Sequence, residues 1–119
     1  MSDTIFAKIV SGEIPTDFVY EDEHCVAIND INPLAPVHVL VIPRKAITML
    51  SEATADDQAL LGHLMLAAGN VARRLGVEEG FRLMVNNGES AGMTVPHLHL
   101  HILAGRSMSE ASLARGLSE

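Results

Sequence analysis

At 119 residues the chain is long enough for one compact core and short for two. With 48% hydrophobic and 19% charged residues it reads as globular rather than disordered. A formal charge of −7 counts against a nucleic-acid-binding surface, which needs a basic stripe, but small anions can still be held locally by backbone amides and imidazoles. The lone Cys25 cannot form an internal disulfide and reads as a small, half-buried core residue. No basic start with a long apolar run opens the chain and no stretch approaches a membrane span, so a cytoplasmic protein with no membrane partner is expected. Residues 1–106 read as one domain. Residues 107–119 shift toward small and polar types and are expected to form a mobile tail.

In chain order, Asp3 or Thr4 can cap a short helix whose apolar face is Ile5, Phe6 and Ile9 and whose stop is Gly12. Phe18 to Tyr20 and Cys25 to Asn29 read as strands joined by the acidic turn E-D-E. Val37 to Ile42 is a dense β-branched run, predicted as a central strand closed by Pro43, with His38 inside it. Thr54 and Asp57 form a capping-box-like start to the longest element, a helix over about Ala55 to Leu75 with Gly76 as its stop. Arg73 and Arg74 suit its C-terminal dipole, and Leu61, Leu64 and Met65 could extend its apolar side to a subunit contact. Phe81 to Asn86 is a fourth strand. A loop bearing Gly88 and Gly92 follows, and Val95 to Leu103 forms a fifth strand. Five strands joined mostly by short turns, with one long and one short helix, predict an α+β fold around a mostly antiparallel sheet.

In that last strand His97, His99 and His101 alternate with Leu98, Leu100 and Ile102. Successive strand side chains point to opposite faces, so the imidazoles share one face, roughly 7 Å apart, and the aliphatics share the other. From this run alone three readings are open: polar positions on a wet strand face, a metal site built from alternate histidines, or a nucleophilic histidine flanked by helpers.

The run from His97 to Leu103 matches the signature His-apolar-His-apolar-His-apolar-apolar of the histidine triad (HIT) family. Further blocks resemble its Hint branch in the expected order: D-T-I-F-A-K-I, E-I-P, A-I-N-D-I, A-P-V-H-V-L-V-I-P, L-L-G-H-L-M and L-A-G-R. Together they span about Asp3 to Arg106. The resemblance implies a hydrolase or transferase that works through a nucleotidyl-histidine and releases a purine nucleoside monophosphate, AMP or GMP, from phosphoramidates or aminoacyl-adenylates. It also implies a homodimer in which two five-stranded sheets join into one, and chemistry that requires no metal and no cofactor.

By the same resemblance His99 is the nucleophile. A neutral imidazole nitrogen can attack phosphorus without prior deprotonation, provided the other ring nitrogen keeps its proton, most simply on a backbone carbonyl. His97 and His101 are expected to bind phosphate oxygens and His38 to support the triad from behind. Thr94 stands where relatives carry a hydroxyl residue contacting phosphate, and Asn86 where an asparagine reaches the phosphate or sugar. Asp30 offers an acceptor-only carboxylate to the ribose hydroxyls. Ile5, Phe6, Ile9 and Ile28 are expected to clamp the base, with Asn29 beside them. Two positions depart from the pattern. Met93 replaces a common glutamine and cannot donate a hydrogen bond, which leans against a dinucleoside polyphosphate hydrolase, and Asn29 replaces a frequent histidine. Arg44, Lys45, His24 and His63 read as solvated or satisfied surface residues. A nucleotide-binding regulatory protein with little catalysis would use the same binding residues, and a metal-binding protein would carry stoichiometric zinc.

Overall fold

The structure, a computed structural model, describes residues 4–110. It has the predicted α+β architecture: a five-stranded, fully antiparallel open sheet with one long and one short helix. The short helix α1 spans Ile5–Val10, and Thr4 caps it by accepting from the Ala7 N–H at 3.0 Å, a contact worth about 1 kcal/mol. The alternative cap, Asp3, lies outside the described residues. The strands are β1 (Tyr20–Glu21), β2 (Cys25–Asn29), β3 (Val37–Pro43), β4 (Phe81–Met84) and β5 (Leu100–Ala104), ordered β1-β2-β3-β5-β4. The long helix α2 spans Gln58–Arg74.

Strand β3 lies at the centre and is buried on both faces, which is why it reads as an apolar run interrupted by His38. Val39 and Val41 pack toward α2 with Ala27, Leu64, Ala68 and Val71. Leu40 and Ile42 point the other way, into a second cluster with Phe6, Ile9 and Ile28. Burying each of the valine, leucine, isoleucine and phenylalanine side chains contributes about 1.5–3 kcal/mol. The sheet therefore carries α2 on one face and α1 on the other.

Several boundaries differ from expectation. Strand β1 starts two residues later and ends one later, where Asp22 Oδ1 takes the N–H groups of His24 and Cys25, turning the chain. The capping box at Thr54 and Asp57 forms, but around a 3₁₀ turn over Ala55–Asp57, so α2 starts at Gln58. Strand β4 stops at Met84. Strand β5 begins only at Leu100, because Pro96 has no N–H to pair and the Leu98 N–H goes to the Ile47 carbonyl at 2.7 Å. Cys25 is fully buried rather than half-buried. Leu64 belongs to the core beneath α2, which leaves the half-exposed Met65 on the outer side of the helix.

Just past β5, Gly105 has φ of 93°, and a Cβ there would meet Pro36 Cβ at 2.9 Å. Met108 packs against Leu103 and Ala35, and the Ser109 carbonyl accepts from Arg82, so the first tail residues lie on the domain. Residues 111–119 lie outside the described residues. Among the described residues no helix is long and apolar enough to cross a membrane.

Candidate active site

The alternation of the histidine run survives the late start of β5. Leu98, Leu100 and Ile102 enter the core under α2, while the imidazoles turn to the α1 side. There the Phe6 ring stands edge-on to His99, 4.8 Å between centroids, and to His97 at 6.3 Å. Only His101 lies in the paired strand. His99 immediately precedes the ladder and His97 sits in the bend before it.

The hydrogen bonds fix the protonation of each neutral ring, because carbonyls only accept and backbone amides only donate. His99 Nδ1 lies 2.7 Å from the His97 carbonyl oxygen, so Nδ1 carries the proton and Nε2 is bare. His97 Nε2 donates to the Pro43 carbonyl at 2.8 Å. Its Nδ1 is then a lone pair, buried and without a hydrogen-bond partner among the described residues. The Leu34 N–H donates to His38 Nδ1 at 3.0 Å, which leaves the proton on His38 Nε2. That proton is donated to His101 Nδ1, also at 3.0 Å, and so His101 carries its own proton on Nε2. A relay thus runs from the Leu34 amide through His38 to His101 and ends in an N–H. The two flanking rings, both assigned to phosphate by the resemblance, differ: His101 Nε2–H has no hydrogen-bond partner among the described residues, whereas the His97 N–H is used by Pro43.

All four rings are held neutral. Burial lowers the pKa of His38, His97 and His99 below the ordinary histidine value. His101 falls furthest, to about 4, first through burial and then through the neighbouring His99 and His38. Asp30 works in the opposite direction on His38, His99 and His101. Its Oδ2 is 3.5 Å from His38 Nε2, and its Oδ1 accepts from the Asn32 N–H at 2.8 Å, which holds the carboxylate at the end of β2. Ligand atoms of Asp30, His38 and His101 lie within 4.8 Å of one another, the one cluster on this face among the described residues that could gather round a metal ion.

A cleft of about 290 Å³ opens beside these groups, lined by Ile5, Phe6, Ile9, Ile28, Asn29, Asp30 and Thr94. Every residue assigned to the base, sugar and hydroxyl contacts lines it except Asn86. The structure adds Ile31, Asn32, Leu40 and Val95 to the wall. Leu40 was discoverable, being two residues from His38 on the same face of β3, whereas Ile31 sits in a turn and gives no periodic signal. Asn86 instead donates its Nδ2–H to the Ala91 carbonyl at 2.9 Å and braces the glycine-bearing loop. A wider, open hollow of about 640 Å³ adjoins, lined by Thr48, Met49, Gly88, Glu89, Met93 and Thr94. Thr94 borders both spaces, and Met93 is buried against the larger one.

The surface expectations resolve individually. Arg44 donates to the Asp22 and Val10 carbonyls and pairs with Glu21, tying α1 to β1, while Lys45 pairs with Asp57. His63 bonds Asp22, with His24 edge-on beside it.

A model of the HIT domain matches residues 11–108. An uncharacterised HIT-like protein of Synechocystis is 59% identical over 107 residues, covering 90% of this chain and 94% of the relative. Among solved structures, a HIT family hydrolase from Legionella pneumophila superposes with a TM-score of 0.87 at 40% identity, covering 91% of this chain and 97% of that one. A histidine triad protein from Clostridium difficile gives 0.86 at 40% identity, with 92% and 96% covered. With its three imidazoles on the cleft side of a five-stranded sheet and a match over nearly its whole length, this chain belongs to the HIT domain family.

Proposed function

We propose that the protein hydrolyses nucleoside phosphoramidates or acyl-adenylates, forming nucleotidyl-His99 and releasing a purine nucleoside monophosphate. The observation that carries this reading is the bare Nε2 of a neutral, buried His99, the nitrogen opposite the one bonded to the His97 carbonyl. Such a nitrogen attacks phosphorus with its lone pair and needs no base.

The purine sits in the apolar cleft between Phe6, Ile9 and Ile28, and the ribose hydroxyls donate to Asp30. His101 Nε2–H donates to a nonbridging phosphate oxygen as phosphorus becomes five-coordinate. Thr94, at the junction of cleft and hollow, contacts phosphate and relays a solvent proton to the departing amine, a proton that the attacking water later returns to solvent. Expulsion of the amine leaves a P–N bond to His99, and attack by water then breaks it and returns the bare ring. His97 contributes by position: its carbonyl orients His99, and its ring is anchored to Pro43. No step is assigned to a metal or cofactor. Met93 offers no hydrogen bond to a bridging phosphate, which favours a P–N substrate over a dinucleoside polyphosphate.

We further propose a homodimer, supported by the place of β4 at the end of the sheet among the described residues and by the half-exposed Met65 beside an apolar hollow lined by Leu50, Leu61 and Val85. Sedimentation at micromolar concentration should give twice the chain mass; a monomer would exclude it.

The test of function is release of AMP from adenosine 5′-phosphoramidate with EDTA present. Steady turnover is expected. Absence of turnover with AMP still bound would instead support a nucleotide-binding protein.

A further inference from the structure

On the other face of the sheet, under α2, three unlike metal-binding side chains meet. Asp22 stands in the turn between β1 and β2, Cys25 opens β2, and His63 reaches them from α2. Asp22 Oδ2 lies 2.7 Å from His63 Nε2 and 3.7 Å from Cys25 Sγ, and it also accepts from the Tyr20 hydroxyl at 2.9 Å. All three ligand atoms fall within 4.8 Å of one another. The nucleotide chemistry proposed above uses none of them.

We propose that Asp22, Cys25 and His63 bind a divalent transition metal ion of zinc's class, which pins the β1–β2 turn to α2.

The donor set of one thiolate, one imidazole and one carboxylate is the mixed soft and borderline set that selects zinc over magnesium or calcium. A tetrahedral ion with bonds of about 2.0–2.3 Å places its ligand atoms roughly 3.3–3.5 Å apart. The sulfur–oxygen separation already fits, and the nitrogen–oxygen pair has to open by less than about 1 Å. The carboxylate is preset by the N–H groups of His24 and Cys25 on Oδ1 at 2.8 and 2.9 Å. His24, half-exposed and with its ring 4.7 Å from that of His63, can swing in as the fourth ligand or leave that position to water.

Without an ion the arrangement is poor for the thiol. Burial, and then the adjacent Asp22 carboxylate, pushes Cys25 up to about 12, so sulfur offers the carboxylate only a weak S–H. On binding, the thiol proton leaves to solvent and the single proton of His63 shifts from Nε2 to Nδ1, so that the ion takes the place of the Nε2–H between His63 and Asp22.

The test uses the full chain, stripped with chelator, kept reduced and titrated with cobalt(II) as a spectroscopic stand-in for zinc. One equivalent should bind with a thiolate-to-cobalt charge-transfer band, and zinc should raise the melting temperature. Cys25→Ala should lose the band. His63→Gln, at a partly exposed position where folding is not at risk, should weaken binding at least about tenfold. His38→Leu should retain both band and affinity. Absence of a thiolate band in the wild-type protein would overturn the proposal. So would a band indifferent to His63→Gln, or cobalt binding that shows no thiolate band and is lost in His38→Leu, which would place the ion among Asp30, His38 and His101.

Discussion

The carbonyl oxygen of His97 lies 2.7 Å from Nδ1 of His99, and this bond decides which end of the central imidazole is bare. Because the acceptor is backbone, no side-chain change at position 97 removes it directly. What a substitution there can do is let the segment shift, since the His97 ring is itself moored to Pro43. His97→Ala is therefore expected to lower kcat by loosening His99, by about 10–100-fold, a loss smaller than that for His99 itself. Parallel kcat measurements on His97→Ala and His99→Ala check the order.

The pH profile should reflect a nucleophile kept neutral. Burial lowers the His99 pKa from the ordinary 6.5, so the acid limb of kcat/KM should lie below pH 6.5. A limb at or above that value would contradict the assignment.

The same shifts link pH to stability. A histidine whose pKa is lower in the folded state binds protons preferentially when unfolded. Its stabilising contribution is complete above pH 6.5 and is lost as pH falls toward the folded value. For His101 the window runs from 6.5 down to about 4. The melting temperature should therefore drop through this range, and His101→Gln should make the drop shallower.

His38 holds the relay between the Leu34 amide and His101. His38→Leu keeps the volume but leaves a donor and an acceptor unpaired. It is expected to cost about 1–3 kcal/mol of stability and to lower kcat without raising KM for the nucleotide. Denaturant melts and steady-state kinetics on the one variant measure both effects.

Asp30→Asn should weaken recognition of the ribose diol. The expected loss in kcat/KM is about 10–100-fold for a ribonucleoside phosphoramidate, as for one charge-assisted hydrogen bond, and little for its 2′,3′-dideoxy analogue. Equal losses on both substrates would move Asp30 out of sugar recognition.

Much of this site is legible in the residues. Alternation sorts the imidazoles of His99 and His101 from Leu98, Leu100 and Ile102, and the chemistry of a neutral imidazole nucleophile asks for an acceptor, most simply a backbone carbonyl, on the ring nitrogen that keeps its proton. What alternation cannot supply is which carbonyl. It proves to be that of His97, two residues back, because Pro96 bends the chain and delays pairing until Leu100. The His97–Pro43 bond joins residues 54 apart, and the approach of His63 to Asp22 spans 41, so neither leaves a local pattern. Asn86 is hard to read for a related reason: turn residues bond their own loop as readily as a ligand, and in the structure its amide donates to the Ala91 carbonyl.

The central claim is a covalent nucleotidyl-His99, and the most direct test is stereochemical. An adenosine 5′-thiophosphoramidate of single configuration at phosphorus would be hydrolysed in heavy-oxygen water, and the configuration of the labelled product determined. Two successive in-line displacements, by His99 and then by water, predict net retention. Net inversion would mean that water attacks the substrate directly, and the nucleophilic role of His99 would fall.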